Sequence, residues 1–154
     1  MRARPARAGQ LSVRTKGSSV FGRLLKPPVV VYAHCDIPCG IYDPTPAKIA
    51  ADTVAKMVEK ITGSTGTDDA SRNLYIRSVA VKEEHAQLCN KELLILWSDY
   101  FKPEHLEKYP KLHDTFWKAA KLCSKNKQNV DAAAAAELQG AVKEISDMFW
   151  ATKK

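Results

Sequence analysis

One imidazole and two thiols fall within six residues, at His34, Cys35 and Cys39. Asp36, Pro38 and Gly40 lie among and just beyond them, and the proline and glycine force this segment to turn. Thiolate and imidazole are soft to borderline donors, so their density at one turn points to a metal hook. Tetrahedral zinc wants four side-chain ligands and the segment offers three. The spacing also differs from the Cys-x-x-Cys of redox motifs. Two thiols at Cys-x-x-x-Cys are equally compatible with ordinary core or redox-neutral cysteines.

The residues before the hook sharpen its chemistry. Residues 1–33 carry Arg2, Arg4, Arg7, Arg14, Lys16, Arg23 and Lys26 and no acid. No long apolar core follows these charges, so the secretory pattern is missing. An acid-poor leader with Arg and Ser reads as an organellar transit peptide, with a removable propeptide or a retained basic tail as alternatives. Cleavage between Ala33 and His34 gives His34 a free α-amine. That amine and the Cys35 backbone nitrogen close a five-membered chelate ring, and the Cys35 nitrogen and sulfur close a second. Cys39 folds back to add a second thiolate, giving a planar set of two nitrogens and two sulfurs. The His34 imidazole reaches an axial position through Nδ1. Tetragonal, nitrogen-rich geometry suits nickel(II) or copper(II). Two thiolates and an anionic amide donate charge and lower the cost of nickel(III), turning an inert ion into a one-electron shuttle.

The rest of the chain must position that hook. Its 154 residues, 45% hydrophobic, allow one domain with a modest core, residues 34–154, behind the leader at 1–33. Once the leader is set aside, 17 basic and 17 acidic residues remain, so the net charge of +7 is no argument for nucleic acid. No apolar run approaches the ~20 residues that span a bilayer, so no membrane segment is expected. Cys89 and Cys123 fall inside helical patterns and read as small core residues; the cysteine usage fits a reducing, intracellular setting. Thr45 and Pro46 open a helix to about Ile61, with Ile49, Thr53, Met57 and Ile61 on one side. A second helix runs from Asp69 to Tyr100 with Leu74, Val81, Leu88 and Leu93 to Trp97 as its apolar side. A third covers Pro103 to Ser124, split at Pro110, with Leu106, Tyr109, Leu112, Phe116, Ala120 and Cys123 as its stripe. Asp131 caps a fourth, from the alanine run at 132–136 to Trp150, facing inward with Leu138, Val142, Ile145 and Phe149. Little of the chain alternates as strands do. The expected fold is all-α: an antiparallel four-helix bundle with an N-terminal metal-binding hook.

The string from His34 to Pro44 resembles the nickel superoxide dismutase family, whose mature N-terminus reads His-Cys-Asp-x-Pro-Cys-Gly-x-Tyr-Asp-Pro. A second block matches at Trp97 to Pro103, continuing through His105, Glu107, Lys108, Tyr109 and Pro110. The resemblance covers nearly all of residues 34–154. It implies superoxide disproportionation to oxygen and hydrogen peroxide by Ni(II)/Ni(III) cycling, with one nickel ion per subunit. The implied ligands are the His34 amine and imidazole, the Cys35 amide and thiolate, and the Cys39 thiolate. It further implies a right-handed bundle assembled as a homohexamer, a maturation protease, and a cis peptide before Pro38. Tyr42 and Tyr100 correspond to tyrosines beside the metal, Asp36 to a hook residue held by polar contacts, and Lys102 to a basic residue placed to draw in an anion. In the best-known members a glutamate and an arginine orient the axial imidazole; here those positions hold Ala50 and His85, so His85, another side chain or water takes that role.

Two other readings compete. A non-catalytic nickel or copper carrier bundle with the same hook would bind without turnover, and a helical interaction protein with a reducible Cys35–Cys39 pair would not depend on the N-terminus. The compartment reads as an organelle of plastid type in a eukaryote and as the cytoplasm in a bacterium. His105 and His113 read as capping or solvent-facing residues, and Trp97, Trp117 and Trp150 as packing or subunit contacts.

Overall fold

Each segment with helical periodicity forms a helix in the structure, a computed structural model that describes residues 40–153. The leader and the hook residues His34, Cys35, Asp36, Pro38 and Cys39 lie outside the described residues. Helix α1 spans Thr45–Thr62, α2 Asp69–Ile95, the short α3 Pro103–Lys108, α4 Leu112–Gln128 and α5 Ala132–Thr152. A π-helical turn, Leu96–Tyr100, extends α2. No strand occurs among the described residues.

Each long helix packs against two others: α1 on α2 and α5, and α4 on α2 and α5. This closed ring with short connections is the antiparallel four-helix bundle expected from the sequence. None of its helices is long and apolar enough to cross a membrane.

The caps follow from side-chain chemistry. Asp131 accepts from the backbone N–H groups of Ala133 and Ala134 at 2.9 and 3.1 Å, as the sequence predicts. Asp68 does the same for Ala70 and Ser71 at 3.0 Å. At α1 the expected Thr45 cap is displaced: Thr45 is the first helical residue, and its N–H donates to Asp43 Oδ1 at 2.7 Å. Hydrogen bonds from Thr45, Ser71 and Ala134 hold the Asp43, Asp68 and Asp131 carboxyls, respectively, below the usual carboxylate value. Because the folded values are depressed, these caps contribute fully above the unfolded value of about 3.9 and are lost as pH falls through the folded values.

Two predicted apolar faces are rotated. On α1, Ala47, Ala50, Ala51, Val54, Val58 and Ile61 are buried, while Ile49 is exposed. The alanines let the neighbouring helices approach closely, so the smaller side chains, not the larger Ile49, face inward. On α2 the buried residues are Ser78, Lys82, Ala86, Cys89 and Leu93, and Leu74 and Leu88 are exposed. The cause is Lys82. Its stem lies in the core, and its ammonium donates to the backbone carbonyls of Asn126, Lys127 and Asn129 at the C-terminus of α4. A cation there satisfies orphan carbonyls and opposes the negative end of the helix. On α5, Leu138, Val142, Ile145 and Phe149 are all buried as predicted. Helix α4 continues to Gln128, past the predicted end at Ser124.

Candidate metal centre

The last turn of α2 decides where its aromatic residues go. Phe101 N–H donates to the Leu96 carbonyl, five residues back, at 3.0 Å. That wider turn places Phe101 over Leu96 in the core, where it meets Phe116 edge-on at 5.4 Å between centroids. Tyr100 is directed to the end of the bundle. Its ring lies 4.3 Å from Phe149, 5.6 Å from Tyr42 and 5.8 Å from His105, centroid to centroid. The two tyrosines singled out in the sequence, 58 residues apart, are therefore neighbours.

A cavity of about 300 Å³ opens beside them, lined by Gly40, Tyr42, Asp99, Tyr100, Lys102, Glu104 and His105. Gly40 has φ +71°, the left-handed region that side chains avoid, so the chain turns sharply immediately after Cys39. Lys102, expected to attract an anion, does line the cavity, but Asp99 and Glu104 stand beside it. The local charge is therefore mixed rather than simply positive.

Histidine tautomers can be read from their partners. His105 Nδ1 accepts from the Lys102 backbone N–H at 3.1 Å, and the His105 backbone N–H returns a bond to the Lys102 carbonyl at 2.9 Å. The proton of the neutral ring is then on Nε2. His105 thus caps α3, as expected, and also lines the cavity. His113 Nδ1 accepts from the Trp97 indole at 2.8 Å, and Trp97 stacks on Phe116. Trp117 and Trp150 are exposed.

His85 is not brought to the tyrosine pair. It is half-buried on α2, fifteen residues before Tyr100, roughly 22 Å of helical rise. Its Nδ1 lies 2.9 Å from the Val81 carbonyl. A carbonyl only accepts, so Nδ1 is the donor in that contact. Ala50 is fully buried in the core.

Among the described residues, no group of three or more His, Cys, Asp or Glu side chains could hold a metal. Cys89 and Cys123 are buried against each other between α2 and α4, and the contact with Cys123 together with burial pushes the Cys89 thiol well above its usual pKa. Protonated, enclosed thiols are poor ligands. The donor set that fits a thiolate-bound redox metal is the one in the sequence immediately before Gly40: His34, Cys35 and Cys39.

The site residues missed by sequence reasoning are Asp99, Glu104, Thr152 and Lys153. Thr152 Oγ1 lies 2.7 Å from the Tyr100 hydroxyl, and Lys153 Nζ donates to the Tyr42 carbonyl at 3.0 Å. Asp99 and Glu104 lay inside the matched block or next to it; the last turn of α5 carried no signal short of knowing that it ends beside Tyr100.

Comparison with known proteins agrees with this geometry. The family model for nickel-containing superoxide dismutase matches residues 29–153. The nickel superoxide dismutase of Streptomyces seoulensis is 42% identical over 135 residues, 88% of this chain and 99% of that protein. The corresponding protein of Streptomyces coelicolor is 41% identical over the same extent. A native nickel superoxide dismutase structure superposes with a TM-score of 0.69 at 40% identity, covering 79% of this chain and all of that one. A structure with nickel ligation corresponding to the oxidized state gives 0.70, also at 40% identity, over 78% of this chain and 98% of that one. With a family model spanning most of its length and curated relatives above 40% identity, this chain belongs to the nickel-containing superoxide dismutase family.

Proposed function

We propose that this chain disproportionates superoxide at a nickel hook that comes into being when cleavage makes His34 the first residue. The observation that carries the reading is that the His34–Cys35–Cys39 donor set stands in the sequence directly ahead of Gly40, which turns the chain and lines a cavity with Tyr42 and Tyr100. Nickel when bound supplies the one-electron couple by which one superoxide is oxidised to oxygen and another, with two protons, is reduced to hydrogen peroxide. The His34 amine and imidazole, the Cys35 amide and thiolate and the Cys39 thiolate would hold the ion. Asp36 and Pro38 stand between the two cysteines in the sequence. Tyr42 and Tyr100 narrow the approach and order water, and Lys102 offsets the carboxylates of Asp99 and Glu104 as the anion enters.

The leader reading has support in length. The native solved structure is matched over its whole length by 79% of this chain, and the curated relatives over 99% of theirs by 88% of it. A maturation protease then removes residues 1–33. The compartment is an organelle if the source is eukaryotic; the curated relatives are bacterial, for which the cytoplasm corresponds. A homohexamer is supported by exposed apolar groups the bundle leaves unused. Leu74 and Leu88 lie on one side of α2 at heptad spacing, and Trp117 and Trp150 are exposed on α4 and α5.

By its position in the family pattern, His85 is proposed to take the role of orienting the His34 imidazole. Metal-bound imidazoles commonly donate to a nearby acceptor. His85→Ala should then alter the nickel(III) electron paramagnetic resonance signal and lower turnover roughly tenfold. An unchanged signal would leave water as the acceptor. The function itself is tested by stopped-flow superoxide decay with the chain beginning at His34: rapid decay with nickel and none in the metal-free form is expected. Tight nickel binding without decay would favour the carrier.

A further inference from the structure

The last turn of α5 touches both tyrosines from behind. Lys153 holds the Tyr42 carbonyl while its ammonium lies over the Phe149 ring, 4.7 Å from the centroid. Thr152 Oγ1 is 2.7 Å from the Tyr100 hydroxyl and 2.7 Å from the Phe149 carbonyl. A threonine hydroxyl has one proton, and the carbonyl can only accept. Thr152 therefore donates to Phe149, and the Tyr100 hydroxyl must donate to Thr152. With its proton committed to α5, the Tyr100 oxygen has only lone pairs left for its other neighbours.

We propose that Thr152 is a positioning residue that accepts the hydrogen bond of the Tyr100 phenol and so makes Tyr100 an acceptor on its cavity side. In that state Tyr100 holds the O–H of water or of the hydroperoxide product and gives no hydrogen bond to an anion. Tyrosine is the ambivalent partner here, since a free phenol donates as readily as it accepts. The relay through Thr152 to Phe149 removes that ambivalence. This inference rests on the superoxide reading of the site, but its contact can be tested without turnover.

Thr152→Val keeps the side-chain shape and removes the acceptor; Thr152→Ser keeps the hydroxyl. Two measurements on the nickel-loaded chain beginning at His34 decide the matter. The first is a thermal-unfolding cycle with Thr152→Val, Tyr100→Phe and the double variant. The expected result is non-additive, the double variant being no less stable than the weaker single one. The second is a spectral titration with azide as the probe anion. Thr152→Val, which frees the phenol proton for the cavity, should bind azide about tenfold more tightly, as one hydrogen bond to a charged group allows. Thr152→Ser should match the parent, and adding Tyr100→Phe should cancel the gain. Additive stabilities, or azide affinity unchanged in Thr152→Val, would overturn the proposal. Absence of superoxide turnover in the parent chain would count instead against the functional reading, with the unfolding cycle still reporting on the contact.

Discussion

Cys39→Ser is expected to lower superoxide turnover by well over ~100-fold and to weaken nickel retention against a chelator. Loss of an outer-shell partner alone typically costs 10–100-fold, and Cys39 is assigned directly to the ion. Serine has nearly the same shape, but its hydroxyl stays protonated near neutral pH, and oxygen is a harder donor than thiolate. The Gly40 turn that follows is retained, so the variant changes the donor while the backbone still curves into the cavity beside Tyr42 and Tyr100. Cys89→Ser and Cys123→Ser are useful contrasts. These thiols are buried in the core and removed from the cavity lining, so their replacement should act on stability and leave the nickel(III) signal unchanged. A Cys39→Ser variant that kept full turnover would remove this thiolate from the ligand set.

Lys82→Met is expected to destabilise the bundle by about 2–4 kcal/mol, which corresponds to a fall of roughly 10 °C in the unfolding midpoint. Methionine fills a similar volume but donates nothing. The carbonyls of Asn126, Lys127 and Asn129 then lose a shared partner where α4 ends and the chain turns into α5. The neighbouring Asn126 adds to the damage. Its side-chain amide donates to Leu122 and Ala134 at 3.0 and 2.9 Å and pins the same connection, so a loosened α4 terminus reaches α5. Thermal unfolding followed by circular dichroism measures the change. A Met variant as stable as the parent would mean that the cost of burying the ammonium cancels its three hydrogen bonds.

Much of this arrangement was readable from residues alone, for physical reasons. The helix of Leu138, Val142, Ile145 and Phe149 has large apolar residues at helical spacing behind an aspartate, so propensity, cap and core face agree. Helices α1 and α2 were harder because their inner faces include alanines, a serine and a lysine beside the larger apolar residues. Hydrophobic size marks such faces poorly: Ile49 and Leu74 look inward-facing by composition and are exposed. A lysine in the core cannot be inferred until its acceptors, 44 to 47 residues away, are known. The site divides in the same way. The Tyr42–Tyr100 pair followed from the resemblance of the hook and the second matched block, whereas the donor set lies outside the described residues and stands as a proposal. The contacts of Thr152 and Lys153 depend on where α5 ends relative to the π turn, which no local pattern encodes.

With the proposed ligand set, the metal site is created by exposure of the His34 amine, because that nitrogen is itself a ligand. Superoxide decay should therefore be compared between two nickel-loaded chains, one beginning at His34 and one retaining Ala33 in front of it. The single added residue converts the amine into an amide and leaves every side chain in place. The account predicts rapid decay and a nickel(III) signal only in the chain beginning at His34. Equal activity and equal signals in the two forms would contradict it.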